Sequence, residues 1–285
     1  MATLKEIRIR IKTAKNIQQI TKAMKLVAAA RLKKATDRVL EARPYADKLK
    51  EVMGSLSAGG ELPPHPLMES REVKKIALIL ITSDRGLAGA YNTSLIRKAS
   101  DFLKDATVPV TLVTVGKKGT QFFGKRGYDI HKSFTVPSSG ARLEDAVEVT
   151  RTARGLYESG EVDAVFVVYS KFFSAIRQVA TSVQLLPIVA PESTGTTGGE
   201  IEFEPSAEAL LDTLLPRYFG TLIWQAMLES TASEFGARMT AMTSATDNAG
   251  KMISSLTLKA NRERQASITK EILEVVGGAE ALKGR

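Results

Sequence analysis

The sequence predicts an α/β protein in which a long antiparallel coiled coil of N- and C-terminal helices accompanies a Rossmann-like, mainly parallel α/β domain. Apolar and small residues recur at steps of mostly three and four from Leu4 to Leu56, and again from Ser206 to the C-terminus. Between these segments, short apolar runs alternate with helical patterns, as in a parallel sheet with covering helices. Each terminal stripe is too narrow to fold alone, so the simplest partner for each helix is the other one.

The middle of the chain is predicted to hold five strands and three helices. The strands are expected at Ile76–Thr82, Val108–Val115, Ser133–Val136, Ala164–Tyr169 and Gln178–Leu186. The helices are expected at Thr93–Lys104, Lys117–Arg126 and Leu143–Ser159. We expect the last strand to form a hairpin with its neighbour, which makes the sheet only mainly parallel.

These elements divide the chain into five parts. The parts are an N-terminal coiled-coil helix at 1–57, a Gly- and Pro-rich linker at 58–72, an α/β domain at 73–190, a Thr- and Gly-rich linker at 191–204, and a C-terminal coiled-coil helix with a protruding tip at 205–285. Pro44 lies inside the first helix. We expect it to bend or locally break that helix, because proline lacks the backbone donor and clashes with the preceding turn.

Connectivity sets an expected register for the helix pair. The first helix leaves the pair near Ser57 and the chain returns near Pro205, so the numbers of facing residues should add to about 262. Residues 262–285 would then extend past the N-terminus without a partner in the chain. This overhang carries the apolar residues Ile268, Ile272, Leu273, Val275 and Val276. Apolar surface in water is disfavoured by about 25 cal/mol per Å², so we expect another protein to enclose it.

Positive charge is concentrated at the start of the chain. The net charge is +9, yet residues 1–50 hold 14 Lys and Arg against 4 Asp and Glu, whereas residues 200–234 hold seven acids and one base. The expected register pairs Glu229 with Lys33 and Lys34, and Asp212 with Lys48 and Lys50. Such exposed pairs fix register more than stability. The remaining positive charge fits a nucleic acid, a solvated face or a protein partner with acidic rims.

No residue pattern indicates catalysis or a metal site. The chain has no cysteine and only two isolated histidines, His65 and His131. The turn Gly86–Gly89 begins a helix, where backbone amides attract phosphate, but it has no third glycine in register and is better explained as a tight turn. The stretch Gly116–Thr120 lacks the GxxxxGK(S/T) spacing of a phosphate-binding loop.

Three blocks of sequence resemble the gamma subunit of F-type ATP synthases, and the resemblance covers essentially the whole chain. They are IRIRIKTAKNIQQITKAMKLVAAARL at Ile7–Leu32, ITSDRGLAGAYN at Ile81–Asn92 and NRERQASITKEILEVVGGAEAL at Asn261–Leu282. The resemblance implies a rotor that performs no catalysis, in which the paired helices form a central shaft and convey torque for ATP synthesis or hydrolysis. It also implies that the α/β domain contacts the epsilon subunit and the membrane c-ring, while the C-terminal tip enters the α3β3 hexamer.

The resemblance further implies six positions that couple the shaft to the beta subunits. They are Lys22, Met24 and Lys25 beside the beta lever, and Arg264, Gln265 and Thr269 against the catch loops of beta. It implies no cofactor, no metal and no nucleic acid.

The expected location is the cytoplasmic face of a bacterial cell membrane, with membrane association only through the complex. No apolar run reaches the 18 residues of a membrane span, and no signal or transit peptide is recognisable. The plastid form of the family carries a regulatory insert with cysteines, and this chain has none. Two other functions stay open: a nucleotide-binding enzyme with helical arms, and a basic coiled-coil protein that binds nucleic acid.

Overall fold

The computed structural model of the chain describes residues 3–58, 63–189 and 206–283. Within these residues the elements, in chain order, are α1 Leu4–Ala58, β1 Ile76–Ile81, α2 Tyr91–Asp105, β2 Val110–Val115, α3 Lys117–Gly124, β3 Ile130–Phe134, α4 Leu143–Glu158, β4 Ala164–Phe172, β5 Gln178–Leu186 and α5 Ala207–Lys283. Their order is the predicted one. The predicted fold class, two long terminal helices with a mainly parallel α/β sheet, is confirmed.

The five described strands form one sheet in the order β3-β2-β1-β4-β5. The strand β1 runs parallel to β2 and β4, and β3 runs parallel to β2. The strand β5 is antiparallel to β4, so the predicted hairpin is confirmed. Every residue of β1 and five of the six in β2 are buried, as expected of strands covered on both faces.

The predicted linkers are only partly described. Residues 190–205 and 59–62 lie outside the described part of the chain, so the linker at 191–204 stays a prediction. Leu67, which was expected in the linker at 58–72, is instead fully buried in the main core. Its carbonyl accepts a hydrogen bond of 2.8 Å from the backbone N–H of Ile188. The segment after α1 therefore packs against the α/β core.

The chain divides into two compact units. The coiled-coil unit contains the residues up to Val27 together with those from Thr240 onward, and the sheet unit contains Ala28–Met239. The division of the chain at 57 and 205 stays a prediction.

In the coiled-coil unit, α1 and α5 face each other along a narrow seam. Ile7, Ala14 and Thr21 are buried on α1, and Met242 and Ala249 are buried on α5. These residues recur at seven-residue steps, the heptad repeat of a coiled coil.

The seam differs in detail from the predicted one. Ile17 and Val27 were expected in it but are exposed. Gln18 and Thr21 occupy the seam instead, half-buried and buried respectively. The prediction chose apolar residues for the seam. The heptad repeat instead keeps strict steps of three and four residues, even where those positions hold polar residues.

The helices are antiparallel, but the predicted register is wrong by about five residues. Thr21 faces Thr246, with 2.8 Å between their hydroxyl oxygens, and these residue numbers add to 267. Gln18 lies against Gly250, and these numbers add to 268. In the sheet unit, Leu32, Ala35 and Val39 pack with Leu228, Ala232 and Phe235 in the same register. Side-chain packing sets this register, whereas the expected value assumed that the two helix ends are level.

The shifted register also removes the expected ion pairs. Glu229 is buried and its carboxylate accepts a hydrogen bond from the backbone N–H of Phe172 at 3.2 Å, rather than facing Lys33 or Lys34. Asp212 lies 3.4 Å from His65 Nε2.

His65 is held from both sides of its ring. Its Nδ1 accepts a hydrogen bond from the backbone N–H of Leu67 at 3.1 Å, so Nε2 carries the proton that faces Asp212. Burial lowers the pKa of His65, which favours the neutral ring.

Pro44 does not break α1, because the helix is continuous from Leu4 to Ala58. Pro44 and Leu40 are exposed, so water can bond the Leu40 carbonyl that a proline at position 44 leaves without a donor. The expected local break is therefore wrong.

Gly116 is predicted to tolerate no side chain. Its φ is 97°, and an added Cβ would overlap the carbonyl oxygen of Thr82. Gly127 has a φ of 73° but nothing within 4 Å of an added Cβ. We expect Gly127→Ala to lower the free energy of unfolding by about 1 kcal/mol through backbone strain alone, and Gly116→Ala to lower it by about 3 kcal/mol or more. Urea unfolding followed by circular dichroism measures both, and equal losses would contradict the predicted clash.

Candidate partner-binding surfaces

The C-terminal part of α5 is exposed along its whole described length. Every residue from Arg264 to Ala279 is exposed. The apolar residues predicted for the overhang, Ile268, Ile272, Leu273, Val275 and Val276, have exposed fractions of 49% to 72%. Four of them follow the i, i+4, i+7, i+8 spacing of one helix face. The predicted apolar stripe without an internal partner is therefore present, although the register makes its unpaired part begin nearer 267 than 262.

The polar residues predicted for this tip lie at its start. Arg264, Gln265 and Thr269 are all exposed. The Thr269 hydroxyl donates to the Gln265 carbonyl at 2.9 Å, as is common for threonine inside a helix. The guanidinium of Arg264 forms no ion pair with the described part of the chain. Arg264 and Gln265 can therefore bond an external partner without first breaking an internal contact.

The second predicted group lies on α1. Lys22 is exposed, and Met24 and Lys25 are half-buried. The neighbouring Ile20 and Leu26 are exposed apolar residues. This part of the helix therefore presents apolar and basic side chains together, which suits a protein partner with acidic groups.

The structure keeps the two predicted groups apart. In the observed register Met24 faces residue 243, which precedes Gln265 on α5 by roughly 20 residues. At about 1.5 Å per residue the groups are separated by about 30 Å along the helices. They are two separate groups of residues, one midway along the helix pair and one on the tip.

A polar layer lies inside the seam between these sites. The Thr21 hydroxyl is within bonding distance of the Ile17 carbonyl at 3.0 Å, and Thr246 is within bonding distance of the Met242 carbonyl at 2.7 Å. The two hydroxyls also bond each other. A Cβ at position 250 would lie 3.1 Å from Gln18 Nε2, so glycine makes room for that side chain. Polar residues in a coiled-coil seam specify register at a cost in stability.

In the sheet unit, α5 is held at the carboxyl end of β4 by buried polar side chains. The Ser230 hydroxyl accepts a hydrogen bond from Ser170 N–H at 3.2 Å, and the Ser233 hydroxyl donates to Ser170 C=O at 3.1 Å. Glu229, one helical turn before Ser233, accepts a hydrogen bond from the Phe172 N–H. The strand β1 pairs with β4 only as far as Val168, and side chains of α5 bond the backbone of β4 beyond that point.

Further polar contacts join α5 to the loops of the sheet unit. Thr231 accepts a hydrogen bond from Ala141 N–H at 3.4 Å. Arg238 pairs with Glu234 at 2.7 Å and donates to the Gly86 carbonyl at 3.3 Å. We call Glu229, Ser230, Thr231, Ser233 and Arg238 the anchor residues. They fix both the position and the rotation of α5 on the sheet.

The anchor residues occupy the place where doubly wound sheets bind nucleotides. In such sheets the ligand lies outside the carboxyl ends of the strands where the strand order reverses, here between β1 and β4. Arg238 bonds the Gly86 turn, and Glu234 lies near Asp84 and Tyr91. The glycine turn is therefore a tight turn that bonds Arg238 of α5 at this place.

Burial raises the pKa of several groups around this anchor. The pKa of Glu229 and that of Glu234 are raised by desolvation, against the lowering effects of Phe172 N–H and Arg238 respectively. Burial also raises the pKa of Tyr169 to about 12. These shifts reflect a dry contact between helix and sheet. Among the described residues, no three His, Cys, Asp or Glu side chains are grouped as metal ligands, and none of the helices has the length and apolarity of a bilayer span.

Comparison with known proteins identifies the family. The family model described as ATP synthase matches residues 3–282. The ATP synthase gamma chain of Moorella thermoacetica is 49% identical over 283 residues, which cover 99% of this chain and all of that relative. The gamma chain of Desulfitobacterium hafniense is 48% identical with the same coverage. The chain belongs to the ATP synthase gamma chain family.

Chains in solved structures of ATP synthases share the fold. A chain in the central stalk and c-ring of the Tetrahymena thermophila mitochondrial ATP synthase matches with a TM-score of 0.61 and 26% identity, over 79% of this chain and 99% of that one. A chain of the Euglena gracilis mitochondrial ATP synthase matches with a TM-score of 0.72 and 19% identity, over 98% of this chain and 94% of that one. The family model and the two gamma chains confirm the predicted gamma-family membership.

The anchor residues were not predicted from the sequence. They lie in the stretch ESTASEFGAR at Glu229–Arg238, which reads as a helix rich in small residues. Three of its polar residues, Ser230, Glu234 and Arg238, recur at four-residue steps and so share one helix face. This polar face within a mostly buried helix was the available signal.

The two anchor serines are predicted to contribute measurably to stability. Replacing Ser230 and Ser233 by alanine leaves the buried N–H and C=O of Ser170 without these partners, at about 1 to 3 kcal/mol each. The exposed Ser254 bonds only the Gly250 carbonyl of its own helix, so Ser254→Ala controls for helix propensity and should shift stability by less than about 0.5 kcal/mol. Urea unfolding compares them. A double variant as stable as the control would refute the anchor.

Glu229 is predicted to make stability fall as pH rises. Burial raises its pKa in the folded state above the ordinary value of 4.5. In the pH range between the unfolded-state pKa and the folded-state pKa, the folded state therefore binds more protons than the unfolded state, and the free energy of unfolding decreases as pH rises. Gln at this position keeps an acceptor for Phe172 N–H and removes the titration. We expect a shallower fall in Glu229→Gln between pH 4.5 and 8, measured by urea unfolding. The exposed Glu161→Gln should follow the wild-type curve, and parallel curves for all three proteins would contradict the prediction.

Proposed function

We propose that this chain is the central rotor shaft of an F1Fo ATP synthase and conveys torque between the membrane c-ring and the catalytic sites of the alpha and beta subunits. As a gamma chain it is a subunit of a proton-transporting ATPase complex. The observation that carries the proposal is the exposed apolar face of the tip. An isolated protein gains nothing from such a face, whereas an enclosing hexamer would remove it from water.

The mechanism that we propose is differential contact. An antiparallel pair of unlike helices has different side chains on each face, so three surrounding beta subunits meet three different surfaces. A contact that is stronger with one beta conformation than with another shifts that subunit toward the favoured conformation by the difference in free energy. Rotation would then change nucleotide affinity at each catalytic site in turn. The gamma chain itself performs no bond chemistry.

The two groups of exposed residues are proposed as the contact sites. Lys22, Met24 and Lys25 would meet the lever of beta midway along the shaft, with the lysines facing acidic residues. The free guanidinium of Arg264 supports a charged contact at the tip, and Gln265 and Thr269 lie on the same stretch of helix. The separation of about 30 Å along the helices supports contacts with two different parts of the surrounding subunits.

The sheet unit is proposed to connect the shaft to the membrane side of the complex. It would bind the epsilon subunit and the c-ring, and residues 1–57 with 205–285 would form the shaft and tip. The anchor residues support this role, because their hydrogen bonds to the sheet unit resist sliding and rotation of α5. We place the complex at the cytoplasmic face of a bacterial cell membrane, where the chain is peripheral.

The apolar face of the tip is predicted to be required for coupling. Ile272→Asn combined with Val276→Asn places polar groups where the proposed hexamer offers an apolar lining, so we expect a several-fold loss of ATP-driven proton pumping by the reconstituted complex. Glu271→Asn makes the same side chain on the adjacent polar face and should preserve pumping. ATP hydrolysis in the same preparations separates loss of coupling from loss of catalysis. Unchanged pumping in the double variant would refute the enclosed tip.

A further inference from the structure

An open cavity of about 770 Å³ lies in the sheet unit among α1, α4 and α5. Its depth comes from small residues on all three helices: Ala42, Ala46, Ala146, Gly155 and Gly220. This volume falls within the range of roughly 300 to 1,000 Å³ that is typical of small-molecule sites. None of the residues that line the cavity is an anchor residue.

The walls of the cavity are apolar and accessible. Trp224 is half-buried in the wall, and Tyr45, Leu143 and Val147 are exposed large side chains beside it. The hydroxyls of two lining threonines are already used within their own helices, since Thr150 bonds the Ala146 carbonyl at 2.7 Å and Thr221 bonds the Arg217 carbonyl at 2.8 Å. The walls therefore offer an occupant mainly apolar contact.

The charged groups of the cavity are mainly cationic. Arg154 is neutralised by Glu158 at 2.8 Å. Arg151 and Arg217 also line the cavity, are exposed, and form no ion pair with the described residues. A guanidinium matches a carboxylate through two parallel hydrogen bonds. Two free guanidiniums beside an apolar chamber complement a ligand with an apolar body and an anionic end.

We propose that this cavity binds a small amphipathic anion, a long-chain aliphatic carboxylate, with its chain against Trp224 and its carboxylate held by Arg151 and Arg217. The apolar walls suit the hydrocarbon chain of the ligand, and the unpaired arginines suit its negative charge. This ligand site goes beyond the rotor function, because Arg151, Arg217 and Trp224 are neither anchor residues nor among the residues proposed to contact beta.

The test is a titration of the purified full-length chain with dodecanoate below its micelle concentration. The chain contains one tryptophan, and that residue lines the cavity, so its fluorescence reports on the site directly. We expect a saturable change with dodecanoate. Dodecanol has the same body without the charge and acetate has the charge without the body, so each should bind at least about tenfold more weakly.

Two variants and a control locate the binding. Gly155→Leu fills the cavity from a position where an added Cβ meets nothing within 4 Å, and leucine also favours the helix, so the protein stays folded while affinity falls at least tenfold. Arg151→Gln combined with Arg217→Gln should lower affinity about tenfold or more through loss of charged hydrogen bonds. The exposed Arg97→Gln on α2 should leave affinity unchanged.

Three results would overturn the proposal. They are a dodecanoate titration without a fluorescence change, wild-type affinity in Gly155→Leu, and equal affinities of the double arginine variant and the Arg97 control. Calorimetric titration of the assembled ATP synthase then tests the other occupant. Binding retained in the complex supports the small anion, and binding lost on assembly would assign the cavity to a partner subunit.

Discussion

The register between α1 and α5 is the constraint on which the rest of the structure depends. Facing residue numbers add to about 267 both at the Thr21 and Thr246 layer and in the cluster around Val39 and Leu228. This value decides which side chains of α1 are enclosed and which are exposed. It also decides how much of α5 extends beyond any partner in its own chain, and so how long the apolar tip is.

The polar groups of the helix pair act on position more than on stability. Thr21 and Thr246 cost some packing in the seam, yet they match only in one register. The anchor residues have the same effect on α5 in the sheet unit, since each bonds a specific backbone group and would lose that bond if the helix slid or rotated. For a subunit proposed to carry torque, resistance to slipping is the property that matters.

The sequence was sufficient for the elements and insufficient for their exact alignment. Hydrophobic periodicity predicted both long helices, all five strands and the exposed stripe at Ile268–Val276, because each follows from local pattern. The register could not be predicted to better than about five residues. A whole domain connects the two helices, so the connection does not determine the axial offset between the end of α1 and the start of α5. The anchor was missed since a buried glutamate such as Glu229 reads as a surface residue until its partner, the end of β4, is located. The coupling residues were proposed from resemblance alone, and their exposure is compatible with that proposal.

Disulfide trapping tests the register most directly, because the chain has no cysteine of its own. We expect Thr21→Cys with Thr246→Cys to form an intramolecular disulfide rapidly and in high yield, since the two hydroxyls lie 2.8 Å apart and a disulfide needs closely opposed side chains. The pair Thr21→Cys with Ala241→Cys, which corresponds to the register expected from connectivity, should stay reduced under the same mild oxidation. Preferential cross-linking of the second pair, or of neither pair, would contradict the account.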